Sequence, residues 1–380
     1  MKIKKPKLKL NIGKTGDFAL IVTVILLSLF GIAMVFSASY YKALNDFDNA
    51  SYFAIRQCFW VAAGYVLMYI FSKANYHVWK KFSKVIYIVV VILLALIFTP
   101  LGVSQNGATR WLLVPGTGFT IMPGEFAKFA LIVCGATFLS VKKDRIRDLK
   151  DGLIPYFLLA IVLVALIWEQ PNKSTALIVL ATAVGIAFVA GLKKIYLILA
   201  AGGVALGLVI IALKGGYAAS RIAAWLHPEN DIQGEGWQVA QGLYALGSGG
   251  LFGRGIGNSV QKTLYMPEPQ NDFILTIIGE EIGLIGLMVL LLVFLFLIYR
   301  GFMIAANAED QLGTLLASGI TGLIAIQLVL NVCVVTALIP NTGVMLPFIS
   351  YGGNGTMVLL ALMGILVNIS KHQKENRLQE

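Results

Sequence analysis

The sequence is short of charge: Asp, Glu, Lys and Arg make up 13% of its 380 residues, about half the roughly 25% found in soluble domains. With 58% hydrophobic residues, that shortage excludes a water-solvated fold, because no soluble shape of this length hides so much apolar surface. The bilayer must act as solvent for most of it. Cysteine is nearly missing as well. Cys58, Cys134 and Cys333 each fall inside an apolar span and form no C-x-x-C pair, which argues against a disulfide or thiolate-metal framework. The three histidines, His77, His227 and His372, are too far apart in sequence to read as a ligand cluster. The net charge of +11 could point to nucleic acid, but the cations sit in short clusters between apolar spans. That pattern is a topology signal and implies no nucleic-acid partner.

What the chain does have is long apolar segments. Ten of them approach the roughly 20 residues needed to cross the hydrocarbon: 17–38, 52–72, 82–100, 123–140, 152–168, 173–190, 194–213, 273–299, 312–338 and 352–370. The first follows a basic stretch from Met1 to Lys14 and exceeds the core of a signal peptide, so it reads as a retained helix. Lysine and arginine orient the set. With the N-terminus inside, the inner segments collect the clusters Lys2–Lys14, Lys73–Lys84, Lys142–Lys150 and Lys193-Lys194, then Arg300 and Lys371–Arg377. The alternation holds at every loop. The expectation is an all-α integral membrane protein of about ten transmembrane helices with both termini cytoplasmic. Residues 1–16 form a basic N-terminus, 17–370 a single polytopic membrane domain and 371–380 the C-terminal tail.

The longest loop, about 214–272, lies outside, and loops of that length in compact proteins are usually functional. Within it Trp237, Ala240, Leu243, Tyr244 and Leu246 share one helical face with Gln238 and Gln241 opposite, which predicts an amphipathic helix at the outer lipid interface. Gly253-Arg254-Gly255-Ile256-Gly257 has the look of a phosphate-binding loop, but it follows no strand and opens no clear helix. The segment Ile339 to Gly355, with Pro340, Pro347 and several glycines, reads as re-entrant backbone lining a cavity.

Charge inside apolar spans is costly, about 3 kcal/mol at the bilayer centre. Glu125 and Lys128, at i and i+3, are placed to pair at the outer end of their helix and to line a cavity. Glu280 and Glu281 are adjacent, so they point about 100° apart and should meet different partners. Gln327 and Asn331 form a polar stripe. For these last four, interhelical bonding and function stand level. Asp272 precedes the apolar run Phe273-Ile274-Leu275 at the outer boundary; a helix cap and a catalytic base are both open to it.

Several motifs occur in fixed order: Gly107-Ala108-Thr109-Arg110-Trp111, Pro123-Gly124-Glu125-Phe126-Ala127-Lys128, Gly247-Ser248-Gly249-Gly250-Leu251, Pro267-Glu268-Pro269-Gln270-Asn271-Asp272, Gly279-Glu280-Glu281-Ile282-Gly283 and Leu346-Pro347-Phe348-Ile349-Ser350-Tyr351-Gly352-Gly353. Together they resemble the SEDS family (shape, elongation, division and sporulation), which includes FtsW, RodA and SpoVE, over nearly the whole chain. The resemblance implies an inverting peptidoglycan glycosyltransferase of the bacterial cytoplasmic membrane. Such an enzyme polymerises lipid II at the outer face, beside a class B penicillin-binding protein that crosslinks the peptides. It implies Asp272 as the catalytic residue and Glu125, Lys128, Arg110 and Trp111 as substrate-binding positions. Arg254, Lys262 and Glu268 join these, the two cations as candidates to neutralise a diphosphate. A divalent ion, Mg or Mn, could share that task, although no dedicated ligand cluster is visible. A lipid II flippase and a non-catalytic scaffold for the transpeptidase are the alternatives. The chain departs from the family pattern at Asn271, at Asn172-Lys173-Ser174, at Cys333–Ala337 and at Asn354.

Overall fold

The computed structural model describes residues 16–105, 108–114, 116, 120–141, 148–193, 195–196, 225 and 235–373. Numbered over these residues, the helices are α1 (Phe18–Phe47), α2 (Tyr52–Lys73), α3 (His77–Leu96), α4 (Pro123–Val141), α5 (Ile154–Glu169), α6 (Lys173–Val189), α7 (Glu235–Ser248), α8 (Ile274–Asn307), α9 (Gln311–Val335) and α10 (Asn354–Lys371). Seven of the described helices are long and apolar enough to cross a membrane, and α6 is a shorter apolar one. Helix α3 carries Lys80, Lys81 and Lys84 in its first turns. It therefore starts five residues before the apolar run that marks it in sequence, the lysine stems covering apolar surface while their heads reach the interface. The expected span at 194–213, most of the outer loop up to residue 234 and the extreme N-terminus lie outside the described residues.

Two layers of polar contacts at opposite ends fix the up-and-down order. At the end assigned to the cytoplasm, Asp17 caps α1 and accepts from the Arg300 guanidinium, while its backbone N–H donates to Ser370 Oγ. Nearby, the Tyr76 N–H donates to Asn368 and the Tyr76 hydroxyl to Asp310. At the other end Gln170 donates to the Leu94 carbonyl, and Asn354 to that of Thr120. Helix α10 is central, with nearly all of its side chains buried. It closes on α2 through glycines: a Cβ on Gly64 would lie 2.5 Å from Leu360, and one on Gly364 2.5 Å from the Met68 carbonyl. Without a hydrophobic drive between helices in lipid, such small-residue contacts supply the packing.

One element is not in the sequence reading. Between α3 and α4 runs a three-stranded antiparallel sheet, β1 (Gly102–Gln105), β2 (Ala108–Leu113) and β3 (Thr120–Ile121). The sequence between the first two strands is Asn106-Gly107, a common hairpin dipeptide.

Helix α8 is broken at Gly283 (φ 70°, ψ −175°), which separates a short outer arm, 274–282, from the long apolar shaft. The glycine loop 249–257 fills the break. Arg254 and Gly255 donate their N–H groups to the carbonyls of Glu280 and Glu281, and Leu284 and Ile285 donate to those of Gly250 and Leu251. The glycines of this loop thus serve close backbone docking, and these two N–H groups are consumed within the protein. A Cβ at Gly283 would lie 2.3 Å from the Gly253 nitrogen. Gly283→Ala is therefore expected to destabilise by more than the roughly 1–3 kcal/mol of backbone strain alone. A thermal melt in detergent reads this, and an unchanged midpoint would refute the tight junction.

Helix α7 forms where an amphipathic helix is expected, with a rotated face. Gln241 is buried and Tyr244 exposed. Two of its side chains bond to the loop that follows: Trp237 Nε1 donates to the Tyr265 carbonyl and Gln238 to that of Pro267. A Cβ at Gly242 would meet the Phe273 ring at 2.9 Å, so α7 lies flat against the α8 arm.

Candidate active site

The segment between α9 and α10 is irregular yet buried over Leu346–Ser350, as a re-entrant stretch must be. Its polar groups are met locally. Ser350 Oγ accepts from Leu346 N, and Gln57 of α2 donates to the Ser350 carbonyl. Gly31 of α1 admits it, since a Cβ there would lie 2.6 Å from the Phe348 carbonyl oxygen.

This segment touches both groups of candidate residues. At one end an ideal Cβ on Gly343, an exposed glycine with φ +67°, would stand 3.6 Å from Asp272 Oδ2. At the other, a Cβ on Gly355 would stand 2.8 Å from Glu125 Oε2. Just before Gly343, the Thr342 carbonyl accepts from Ser174 at the start of α6. Asp272 itself is half-buried. The N-cap position of α8 falls on Phe273, with no side-chain cap bond, so the carboxylate lies one residue outside the helix.

Glu125 and Lys128 form the pair that their spacing predicts, with Nζ to Oε2 at 2.6 Å and side-chain exposures of 7% and 3%. Such burial requires pairing, since either charge alone would be strongly penalised. Beside them a Cβ on Gly124 would meet Thr175 at 3.3 Å and Asn172 Nδ2 at 3.5 Å. Asn172 takes the N-cap of α6, accepting from Thr175 N, which explains how the amide serves at this position without a charge. Arg110 and Trp111 are neighbours on β2 and so point to opposite faces. Arg110 donates to the Pro171 carbonyl at the α5–α6 turn, joining the sheet to the Glu125 side.

Arg254 and Lys262 are brought elsewhere. Glu280, fully buried, accepts from Ser248, Arg254, Ser259 and the N–H groups of Val260 and Gln261. Lys262 Nζ sits 2.7 Å from Glu281 Oε1, and Ser37 of α1 bonds to both. The two glutamates do take different partners, and both partners come from the loop. Glu268 (φ 51°) accepts from Gln270 and Asn271 and pairs with Lys42 at 3.3 Å, half-exposed.

Sequence reasoning passed over Arg56, an exposed cation in the largely apolar α2, although a charge in a span was signal enough. Its guanidinium lies 4.4 Å above the Tyr52 ring and beside Tyr351. Burial pushes the Tyr351 phenol above its ordinary value, and Arg56 pulls the other way. Tyr351 N in turn donates to the Gln270 carbonyl, two residues from Asp272.

Buried polar atoms without a hydrogen-bond partner among the described residues occur at both ends of the bundle, Trp79 Nε1, Gln311 Oε1 and Gln373 Nε2 at the cytoplasmic end and Asn172 Nδ2, Thr342 Oγ1, Asn354 Oδ1, Asn271 Oδ1 and Asn331 Oδ1 on this side. Such atoms call for an explanation, and a polar ligand or water supplies one. Among the described residues no three His, Cys, Asp or Glu converge as a metal cage.

Fold and site together define a multi-pass membrane protein whose candidate site residues lie at the end opposite the Asp17–Arg300 contact. The chain belongs to the FtsW/RodA/SpoVE family, whose model, described as a cell cycle protein, matches residues 18–375. It is therefore a protein of the bacterial cytoplasmic membrane. It is 41% identical over 356 residues to a probable peptidoglycan glycosyltransferase FtsW of Trichlorobacter lovleyi, covering 93% of each chain. With stage V sporulation protein E of Bacillus subtilis it shares 39% over 361 residues, covering 94% of this chain and 98% of that one. The rod shape determining protein RodA of Thermus thermophilus matches in structure with TM-score 0.70 and 26% identity, over 94% of this chain and 98% of that one. A chain of a peptidoglycan synthase complex, described as coordinating polymerization and crosslinking, matches with TM-score 0.77 over 96% of this chain and 99% of its own; at 24% identity that likeness concerns the fold.

Proposed function

We propose that the protein is a peptidoglycan glycosyltransferase that polymerises lipid II at the outer face of the membrane. The observation that carries this reading is the segment 339–355, which sets the Asp272 carboxylate and the Glu125–Lys128 pair at its two ends. An acceptor sugar hydroxyl attacks the anomeric carbon as the bond to the lipid diphosphate breaks. Asp272 takes the hydroxyl proton as general base. An α-linked donor giving a β-linked product requires one displacement and no covalent carboxylate intermediate. The departing diphosphate is anionic, and Lys128 and Arg110 are the cations we assign to it. An ammonium carries three donors, and Glu125 takes one of them. Trp111, on the face of β2 opposite Arg110, is assigned to the substrate's apolar or sugar portion. Arg254 and Lys262 we assign to holding the loop, and Glu268 to the outer rim. A Mg or Mn ion, if used, would be held by Asp272 together with substrate oxygens, as Mg²⁺ commonly is. The partner we assign is a class B penicillin-binding protein, which would crosslink the strands made here.

Flipping would need access from both faces, whereas the Asp17–Arg300 and Tyr76–Asp310 contacts tie the cytoplasmic ends together. The test is lipid II polymerisation by the purified protein with and without its cognate penicillin-binding partner. Glycan strands that form only with active protein support the reading. Headgroup translocation in vesicles without any polymer overturns it in favour of the flippase, and partner binding without either activity favours the scaffold.

A further inference from the structure

Asn331 lies four residues before the end of α9 and is fully buried. Its Nδ2 donates to two main-chain carbonyls, those of Asp272 and Val344, each at 2.7 Å. An amide NH₂ group has two hydrogens, so both are spent, and the pair of acceptors fixes which way the amide faces. The two carbonyls are not arbitrary. One belongs to the residue proposed as general base. The other belongs to the residue after Gly343, the glycine beside the Asp272 carboxylate.

Asp272 precedes the Phe273 N-cap, so its carbonyl stands outside the hydrogen-bond ladder of α8. Thr276 N donates to the Phe273 carbonyl, and the Asp272 carbonyl is held from α9 instead. Without Asn331 both carbonyls would lose this donor, and among the described residues no other α9 side chain bonds to either stretch of chain. A plain interhelical hydrogen bond could join any pair of helices. This one joins the two peptides that flank a single carboxylate.

We propose that Asn331 is a positioning residue for glycosyl transfer: it sets the Asp272 carboxylate against the Gly343 segment and acts on the reaction through that carboxylate. The proposal rests on the reading of Asp272 as general base. A misplacement of about 1 Å can cost on the order of 100-fold in rate, so the effect should show in chemistry before it shows in binding.

The experiment uses the full-length protein with its cognate penicillin-binding partner and lipid II. It compares Asn331→Leu, similar in volume but without donors, with Asn331→Ser, which keeps one donor, and with Asp272→Asn. Lipid II binding stoichiometry and the initial polymerisation rate per bound lipid II are read separately. Asn331→Leu is expected to bind at the wild-type stoichiometry and to lose at least about tenfold in rate per bound substrate, with Asn331→Ser in between. Added to Asp272→Asn, it should change the residual rate by less than about twofold, because residues acting as one unit are not additive. A fall in stoichiometry with an unchanged rate per bound lipid II would make Asn331 a structural bond only and overturn the proposal. So would a wild-type rate in Asn331→Ser if the leucine variant does not fold. The parent reading fails differently: Asp272→Asn polymerising at the wild-type rate removes the base itself, whatever Asn331 does.

Discussion

Asp272→Asn is expected to lower the rate of lipid II polymerisation by about 10²–10⁴-fold, the usual contribution of a positioned general base. At 1.36 kcal/mol per decade this is roughly 2.7–5.5 kcal/mol of transition-state stabilisation. The rival explanation is that the variant unfolds or loosens its helix. The N-cap of α8 is Phe273 and makes no side-chain bond, and the Asp272 carbonyl is held by Asn331, a bond that the substitution leaves in place. Losing one charge at a helix start costs about 0.3–1 kcal/mol, too little to account for the rate. The asparagine protein should therefore melt near the wild-type temperature and still bind lipid II while making almost no glycan. A melting point lowered enough to depopulate the folded state would reassign the loss to stability. A wild-type rate would dismiss the carboxylate from the chemistry.

How much of this was legible before the structure depends on how local each feature is. The spans were readable because hydropathy and the lysine–arginine alternation are properties of short windows, and nine of the ten expected segments are helical among the described residues. The Glu125–Lys128 pair was readable because i and i+3 meet on any helix. For Glu280 and Glu281 the sequence dictated divergence but not destination, since their partners depend on how the loop returns to the helix. The loop glycines had the same fate. Their need for unusual backbone was visible, but the purpose, filling a break at Gly283, is a contact between segments 30 residues apart. The sheet was missed because strands of four, six and two residues carry little periodic signal and are set by their pairing. Asn331 was equally opaque: its two acceptors lie 59 and 13 residues away, and neither is a side chain that a motif would mark.

Lys262→Met is expected to destabilise the fold by about 3–5 kcal/mol, the cost of leaving one charge of a buried pair without its partner. Burial decides the magnitude. The Lys262 and Glu281 side chains are 3% and 0% exposed, whereas Lys42 and Glu268, the comparable loop-to-α1 pair, are 24% and 37% exposed. Lys42→Met should accordingly cost no more than about 1 kcal/mol, as exposed pairs do. The buried pair also ties three elements together: Ser37 on α1, Lys262 in the loop and Glu281 on the short α8 arm. Its loss should loosen the loop from that arm, and hydrogen exchange at the Arg254 and Gly255 amides, which bond to the arm's carbonyls, should rise with it. Replacing both charges, as Lys262→Met with Glu281→Leu, should recover most of the lost stability, because a buried ion pair exchanged for apolar groups of similar volume is often neutral. Ser37 would then return its hydroxyl to a carbonyl of its own helix. The double variant separates charge from shape. Recovery of stability with the loop still exchanging fast would mean that the ion pair, beyond balancing itself, holds the loop against the arm that begins beside Asp272. A single variant as stable as the wild type would mean that water reaches Glu281 and that the buried clamp does not form.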